Sequence, residues 1–136
     1  MLGSLVVYIK TMAPTVSFWD CGEFIAVSAI LGIPHPPGAP LYVMIGRIFS
    51  IIPIFEDISA RVNLLSALSS AFAALFCYLC GVRILKHWFK NNLTSFNKLL
   101  LYGGSVSGAF MAAFGLTNWN NSVEAEVYGL AMVFMT

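Results

Sequence analysis

Residues 62–82, VNLLSALSSAFAALFCYLCGV, run for 21 positions without one charged side chain. A membrane-spanning helix needs about 20 consecutive apolar residues. A bilayer accepts such a run only if every backbone polar group is bonded within the segment, which a helix achieves. The stretch therefore predicts a transmembrane helix over 62–82. A second uncharged run, Leu99–Leu116, predicts another over 99–116. The rest of the chain agrees: 59% of residues are hydrophobic and 10% charged, where a soluble domain carries about 25% charged residues. Mean hydropathy is +0.84. The expected fold class is all-α, with polytopic transmembrane helices. A net charge of +1 gives no electrostatic basis for a nucleic-acid partner. The surrounding partner is expected to be membrane lipid.

Upstream lies a different kind of apolar zone, from Phe24 to about Phe55. Pro34, Pro36, Pro37 and Pro40 forbid one continuous helix there, because each removes a donor and restricts the residue before it. The zone splits into Cys21–Leu31 and Leu41–Ile52, both too short to span, so each reads as an interfacial or re-entrant helix. Arg47 in the second piece fits a surface position, since a central Arg is costly in lipid. The stub Leu2–Ile9 is also too short to span, and the final VYGLAMVFMT stops inside an apolar helix. The chain is expected to be the N-terminal part of a larger multi-pass protein.

Charge orients the expected spans. Arg83, Lys86, Lys90 and Lys98, with no acid among them, make 83–98 a cytoplasmic loop by the positive-inside rule. Residues 14–61 then form a long first exoplasmic loop, and 117–128 a second. A full span over Leu41–Ile52 would instead place Asp20 on the cytoplasmic side. In the favoured topology Asp20, Glu23, His35, Glu124 and Glu126 all reach one membrane surface.

Asp20 and Glu23 stand at i and i+3, one face of a helix that Asp20 would open. Asp is a favoured N-cap, so capping and catalysis are both open for it. A carboxylate at a water–lipid boundary can accept a proton from a hydroxyl nucleophile. In HPPGAPLY, His35 can hold a phosphate when protonated or donate a hydrogen bond when neutral. Arg47 and Arg61 are further candidates for an anionic group. In WNNSVEAEVY, Glu124 and Tyr128 would share a helix face with Glu126 pointing elsewhere; acids at the mouth of a membrane helix are functional candidates. No resident metal is expected. Cys21 beside Asp20 is expected near the surface, and Cys77 and Cys80 in lipid. Gly104 and Gly108 form a G-x-x-x-G step that predicts close helix packing.

Three segments in order, APTVSFWDCGEFIAVSAILGIPHPPGAPLYVMIGRIFS, ARVNLLSALSSA and WNNSVEAEVYGL, resemble the multi-pass proteins termed domain of unknown function 2723. That family includes the transmembrane protein 260 type of protein O-mannosyltransferase. The resemblance implies a GT-C-like membrane glycosyltransferase with short interfacial helices in its first exoplasmic loop. It implies a polyprenyl- or dolichyl-phosphate sugar, mannose or a similar hexose, as donor substrate, and Ser or Thr of an exported protein as acceptor. Asp20 takes the place of the catalytic base and Glu23 of its partner. The His35–Pro40 step lies near the donor phosphate, and Glu124 or Glu126 takes the second acidic position. The implied location is the bacterial inner membrane, or the endoplasmic reticulum membrane in a eukaryote, with the active site on the exoplasmic face. Two other functions compete. A transporter or channel subunit would use the acids as an ion or proton relay at mid-membrane depth, and a structural subunit would not need them.

Overall fold

A computed structural model of the chain describes residues 1–89 and 94–136, and these form seven α-helices with no strand among them. In order they are α1 Leu2–Thr11, α2 Cys21–Ile30, α3 Pro40–Ile51, α4 Ile58–Trp88, α5 Ser95–Phe114, α6 Leu116–Val123 and α7 Val127–Met135. Lys90, one of the basic residues of the expected cytoplasmic loop, lies outside the described residues.

The proline-rich break acts as the sequence predicts. Helix α2 ends at Leu31, whose left-handed backbone (φ 55°, ψ 45°) turns the chain. The Gly32 amide then returns to the Val27 carbonyl at 2.8 Å, satisfying a group that the helix end leaves open. Pro40 occupies the first position of α3, where its missing N–H costs nothing. Both helices fall within a residue of the expected segments. Asp57 opens α4 by accepting the Ser59 amide at 2.8 Å.

Helix α4 is the spine, packing against every other helix. It does not stop at Val82: it continues through Arg83 and Lys86 to Trp88. Basic side chains near a helix C-terminus complement its dipole. Its first half is buried almost throughout from Ser59 to Ala74, while Phe76, Leu79, Ile84 and Trp88 beyond it are exposed. It is the one described helix long and apolar enough to cross a membrane by length and composition. The expected span over 99–116 is interrupted: α5 ends at Phe114, and the chain bends by 62° into α6 at Gly115. A second span exists only if this bent pair counts as one.

Helix pairs in lipid gain little from the hydrophobic effect and rely on close backbone approach and buried hydrogen bonds. Two glycines provide the approach. A Cβ on Gly46 would sit 2.4 Å from Ser28 Oγ, and one on Gly129 would sit 2.6 Å from Ser70 Oγ. Thus α3 lies directly on α2, and α7 on α4. The G-x-x-x-G step does not serve this purpose within the described residues. A Cβ on Gly104 would only graze Leu85, and one on Gly108 would meet nothing. Both glycines face outward, and Ser105 makes the close contact instead, against Gly81 of α4.

Candidate active site

Asp20 is the N-cap residue of α2, but its side chain makes no capping bond. Its backbone is already helical (φ −73°, ψ −10°), whereas a capping Asp needs an extended backbone to reach the open amides. The carboxylate is free for the loop between α2 and α3. That loop brings His35 back over the start of α2, closed by a 2.9 Å bond from the Gly38 amide to the His35 carbonyl. Gly38 takes φ +77°, which suits a residue without Cβ.

Glu23 holds His35 twice. Its Oε1 accepts the His35 backbone N–H at 2.8 Å, and its Oε2 lies 2.6 Å from Nδ1. The other ring nitrogen, Nε2, lies 4.0 Å from Asp20 Oδ2. The contact with the His35 ring is the main reason that Glu23 lies below its usual pKa. The same contact, with a smaller contribution from the Asp20 charge, raises His35. Behind the imidazole stand Phe24 and Tyr42, with ring centroids 6.2 Å and 5.5 Å along the series His35, Phe24, Tyr42. One ligand atom from each of Asp20, Glu23 and His35 lies within 4.8 Å of the others. The trio has the donor set and spacing to receive a divalent cation, although two of those atoms are already paired with each other.

The second acidic segment is not helical. Glu124 ends α6 and Glu126 precedes α7, both extended (φ −138° and −133°). Glu124 and Tyr128 therefore do not share a helix face, and the expectation that they would is corrected by this break. Glu126 is only 8% exposed. Burial is the first cause of its raised pKa, followed by the charges of Glu124 and Asp20. Tyr128 lies exposed on α7.

Polar groups of α4 join the two segments. Asn63 donates through Nδ2 to the carbonyls of Ala13 (2.9 Å) and Thr15 (3.3 Å). Its Oδ1 accepts from Cys21 Sγ at 3.8 Å, and Cys21 Sγ in turn accepts the Ala125 amide at 3.4 Å. One turn on, Ser66 Oγ donates to the Glu126 carbonyl and accepts its amide, both at 3.1 Å. With that proton committed, the 3.2 Å contact to Tyr42 has the Tyr42 hydroxyl as donor. Cys21 is therefore a fully buried structural thiol, which corrects the expectation that it lies near the surface, while Cys80 faces outward from α4 among apolar side chains such as Phe76 and Leu79. Asn63, Ser66 and Tyr42 were not among the sequence candidates. The available signal was a polar series, Ser59, Asn63, Ser66, Ser70, at helical spacing in an otherwise apolar run.

Arg47 and Arg61 are engaged elsewhere. Arg47 donates to the Ala29 carbonyl at the far end of α2. Arg61 donates to the carbonyls of Phe55, Ser50 and Glu56 at 2.6, 3.0 and 3.1 Å. Both close helix ends and turns, and neither is brought to Asp20. None of the six acidic residues lies within α4 or α5.

Residues 20–136 match the family described as the protein O-mannosyl-transferase TMEM260 N-terminal domain. A protein O-mannosyl-transferase tmem260 of Dictyostelium discoideum is 30% identical over 132 residues, covering 96% of this chain. A protein O-mannosyl-transferase TMEM260 of Mus musculus is 28% identical over 129 residues, covering 95%. The chain spans only 14% and 16% of the lengths of these relatives. No solved structure matches it.

Proposed function

Because the chain belongs to the TMEM260 N-terminal domain family, we propose that it is the N-terminal part of a multi-pass, GT-C-like membrane glycosyltransferase. The enzyme moves mannose or a similar hexose from a polyprenyl- or dolichyl-phosphate carrier to a hydroxyl acceptor, Ser or Thr of an exported protein, at the exoplasmic face. The observation that carries the reading is the convergence of Asp20, Glu23 and His35 on one another, at the end of a short helix and outside both long helices.

Their geometry divides the roles. Both oxygens of Glu23 are engaged by His35, so Glu23 positions the imidazole and favours its protonated form. Asp20 is too far from Nε2 for a hydrogen bond and is exposed, so it serves as the general base. Asp20 takes the proton from the acceptor hydroxyl as that oxygen bonds to C1 of the sugar. The bond from C1 to the carrier phosphate breaks, and the phosphate leaves with the electron pair. His35 Nε2–H faces the departing anion. A single displacement of this kind inverts the anomeric carbon. Glu126, buried beside this group with a raised pKa, is suited to donate a hydrogen bond to a sugar hydroxyl.

The test is Asp20→Asn in the full-length enzyme, assayed for transfer from a lipid-linked mannose to an acceptor peptide. The expected loss is about 10²- to 10⁴-fold in kcat. Transfer at the wild-type rate would remove Asp20 as the base.

A further inference from the structure

On the side of Asp20 away from His35 in sequence, the chain forms a cleft of about 310 Å³, at the lower end of the size range of small-molecule sites. Its walls come from two segments far apart in sequence. One carries Thr11, Ser17, Phe18 and Trp19, and the other carries Asn120 and Glu124. Phe18 and Trp19 are 84% and 91% exposed, immediately before the proposed base. Trp19 also holds a left-handed backbone, φ +63°, which an L-residue with a bulky side chain rarely adopts. Nothing within the described residues covers either ring. Strain of this kind persists where the surrounding fold imposes it and clusters at ligand sites.

The opposite wall is polar and open for pairing. The Asn120 amide makes no hydrogen bond among the described residues, and Glu124 stands beside it at the end of α6; across the cleft the Ser17 hydroxyl, next to Phe18, is likewise unbonded among the described residues. Thr11 is already fixed, accepting from the Trp119 indole at 3.2 Å and donating to the Val7 carbonyl. Exposed aromatic side chains lining a cleft together with an amide, a carboxylate and a hydroxyl are the chemistry that recognises a pyranose. The C–H face of the ring stacks on the aromatic side chains, and its hydroxyls pair with the polar groups.

We propose that this cleft is a pyranose subsite, with Trp19 and Phe18 as its stacking wall and Asn120 and Glu124 as its hydroxyl-binding wall. The proposal rests on the glycosyltransferase reading and adds where a sugar ring sits relative to Asp20. The ring belongs either to the lipid-linked donor or to a sugar already carried by the acceptor. The contiguity of Trp19 with Asp20 favours the donor.

The test uses the full-length protein and two readouts. Methyl α-D-mannopyranoside binding is followed by saturation-transfer NMR, which needs no turnover, and KM is measured separately for lipid-linked mannose, for an unglycosylated acceptor peptide and for a pre-mannosylated one. Trp19→Ala and Asn120→Ala are each expected to weaken glycoside binding by about tenfold or more, while Trp19→Phe keeps most of it. A matching rise in donor KM alone assigns the ring to the donor. If donor KM is unchanged while turnover of a pre-mannosylated acceptor weakens, the ring belongs to the acceptor. Unchanged glycoside binding in both alanine variants would overturn the subsite and leave Phe18 and Trp19 as lipid-facing anchors. Asp20→Asn, run alongside, is expected to keep glycoside binding while losing transfer; wild-type transfer in that variant overturns the base alone, and unchanged glycoside binding in the alanine variants overturns the subsite alone.

Discussion

His35 and Glu23 form a coupled pair whose charge state sets a pH window. Glu23 sits below its reference value of 4.5 and His35 above its reference value of 6.5, each chiefly through the other. The contribution of His35 to stability is full below its unfolded value and is lost as pH rises through the raised folded one. That of Glu23 is full above its unfolded value and is lost as pH falls through the depressed folded one. Between the two folded values the imidazolium stands ready for an anion. Both side chains are partly exposed, so salt weakens the pairing. For transfer, the alkaline limb of the kcat/KM profile is expected to follow His35. Glu23→Gln removes the main cause of the upward shift, and it is expected to move that limb to lower pH. A limb that stays in place in this variant would detach His35 from the phosphate-binding step.

At the scale of helices, the buried polar series on α4 determines where both acidic segments sit. Asn63→Ala removes donors from the Ala13 and Thr15 carbonyls and the acceptor for Cys21. Leaving buried groups unpaired costs about 1–3 kcal/mol. The full-length variant is expected to melt earlier in detergent and to lose transfer activity. An unchanged Tm and rate would mean that Asn63 does not hold the site. Much of this level was legible in the sequence: the prolines at 34–40 placed the ends of α2 and α3, and the uncharged run placed α4. The break at Glu124–Glu126 was not, because no proline or glycine marks it. It is held by Ser66 and Cys21, which are distant in sequence. Nor were the roles of Arg47 and Arg61 visible, since a guanidinium seeking a phosphate and one closing a helix end look alike in a chain of letters. Asp20, Glu23 and His35 were legible as candidates, but their pairing needed the return of the loop onto α2.

Across the whole molecule, large apolar side chains cover the outside of α4 and α5, among them Phe72, Phe76, Leu79, Phe110 and Met111, as suits contact with lipid tails. Five of the six acids lie in segments that connect helices and the sixth, Glu23, in the first turn of α2, while Arg83 and Lys86 lie toward the C-terminal end of α4. Sidedness can be read without any substrate. In a cysteine-free full-length background, Ile33→Cys, at a position 91% exposed beside His35, is expected to react in intact cells with a membrane-impermeant maleimide. Lys86→Cys is expected to react only after permeabilisation. The opposite pattern would invert the topology and remove the exoplasmic active site. The native Cys21 cannot serve as this probe, because its thiol is buried between Asn63 and Ala125. That same burial has a geometric meaning. The start of α2 and the extended link before α7 are both bonded to adjacent turns of α4, so the spacing between Asp20 and Glu126 is set by one helix and not by the two loops that carry them.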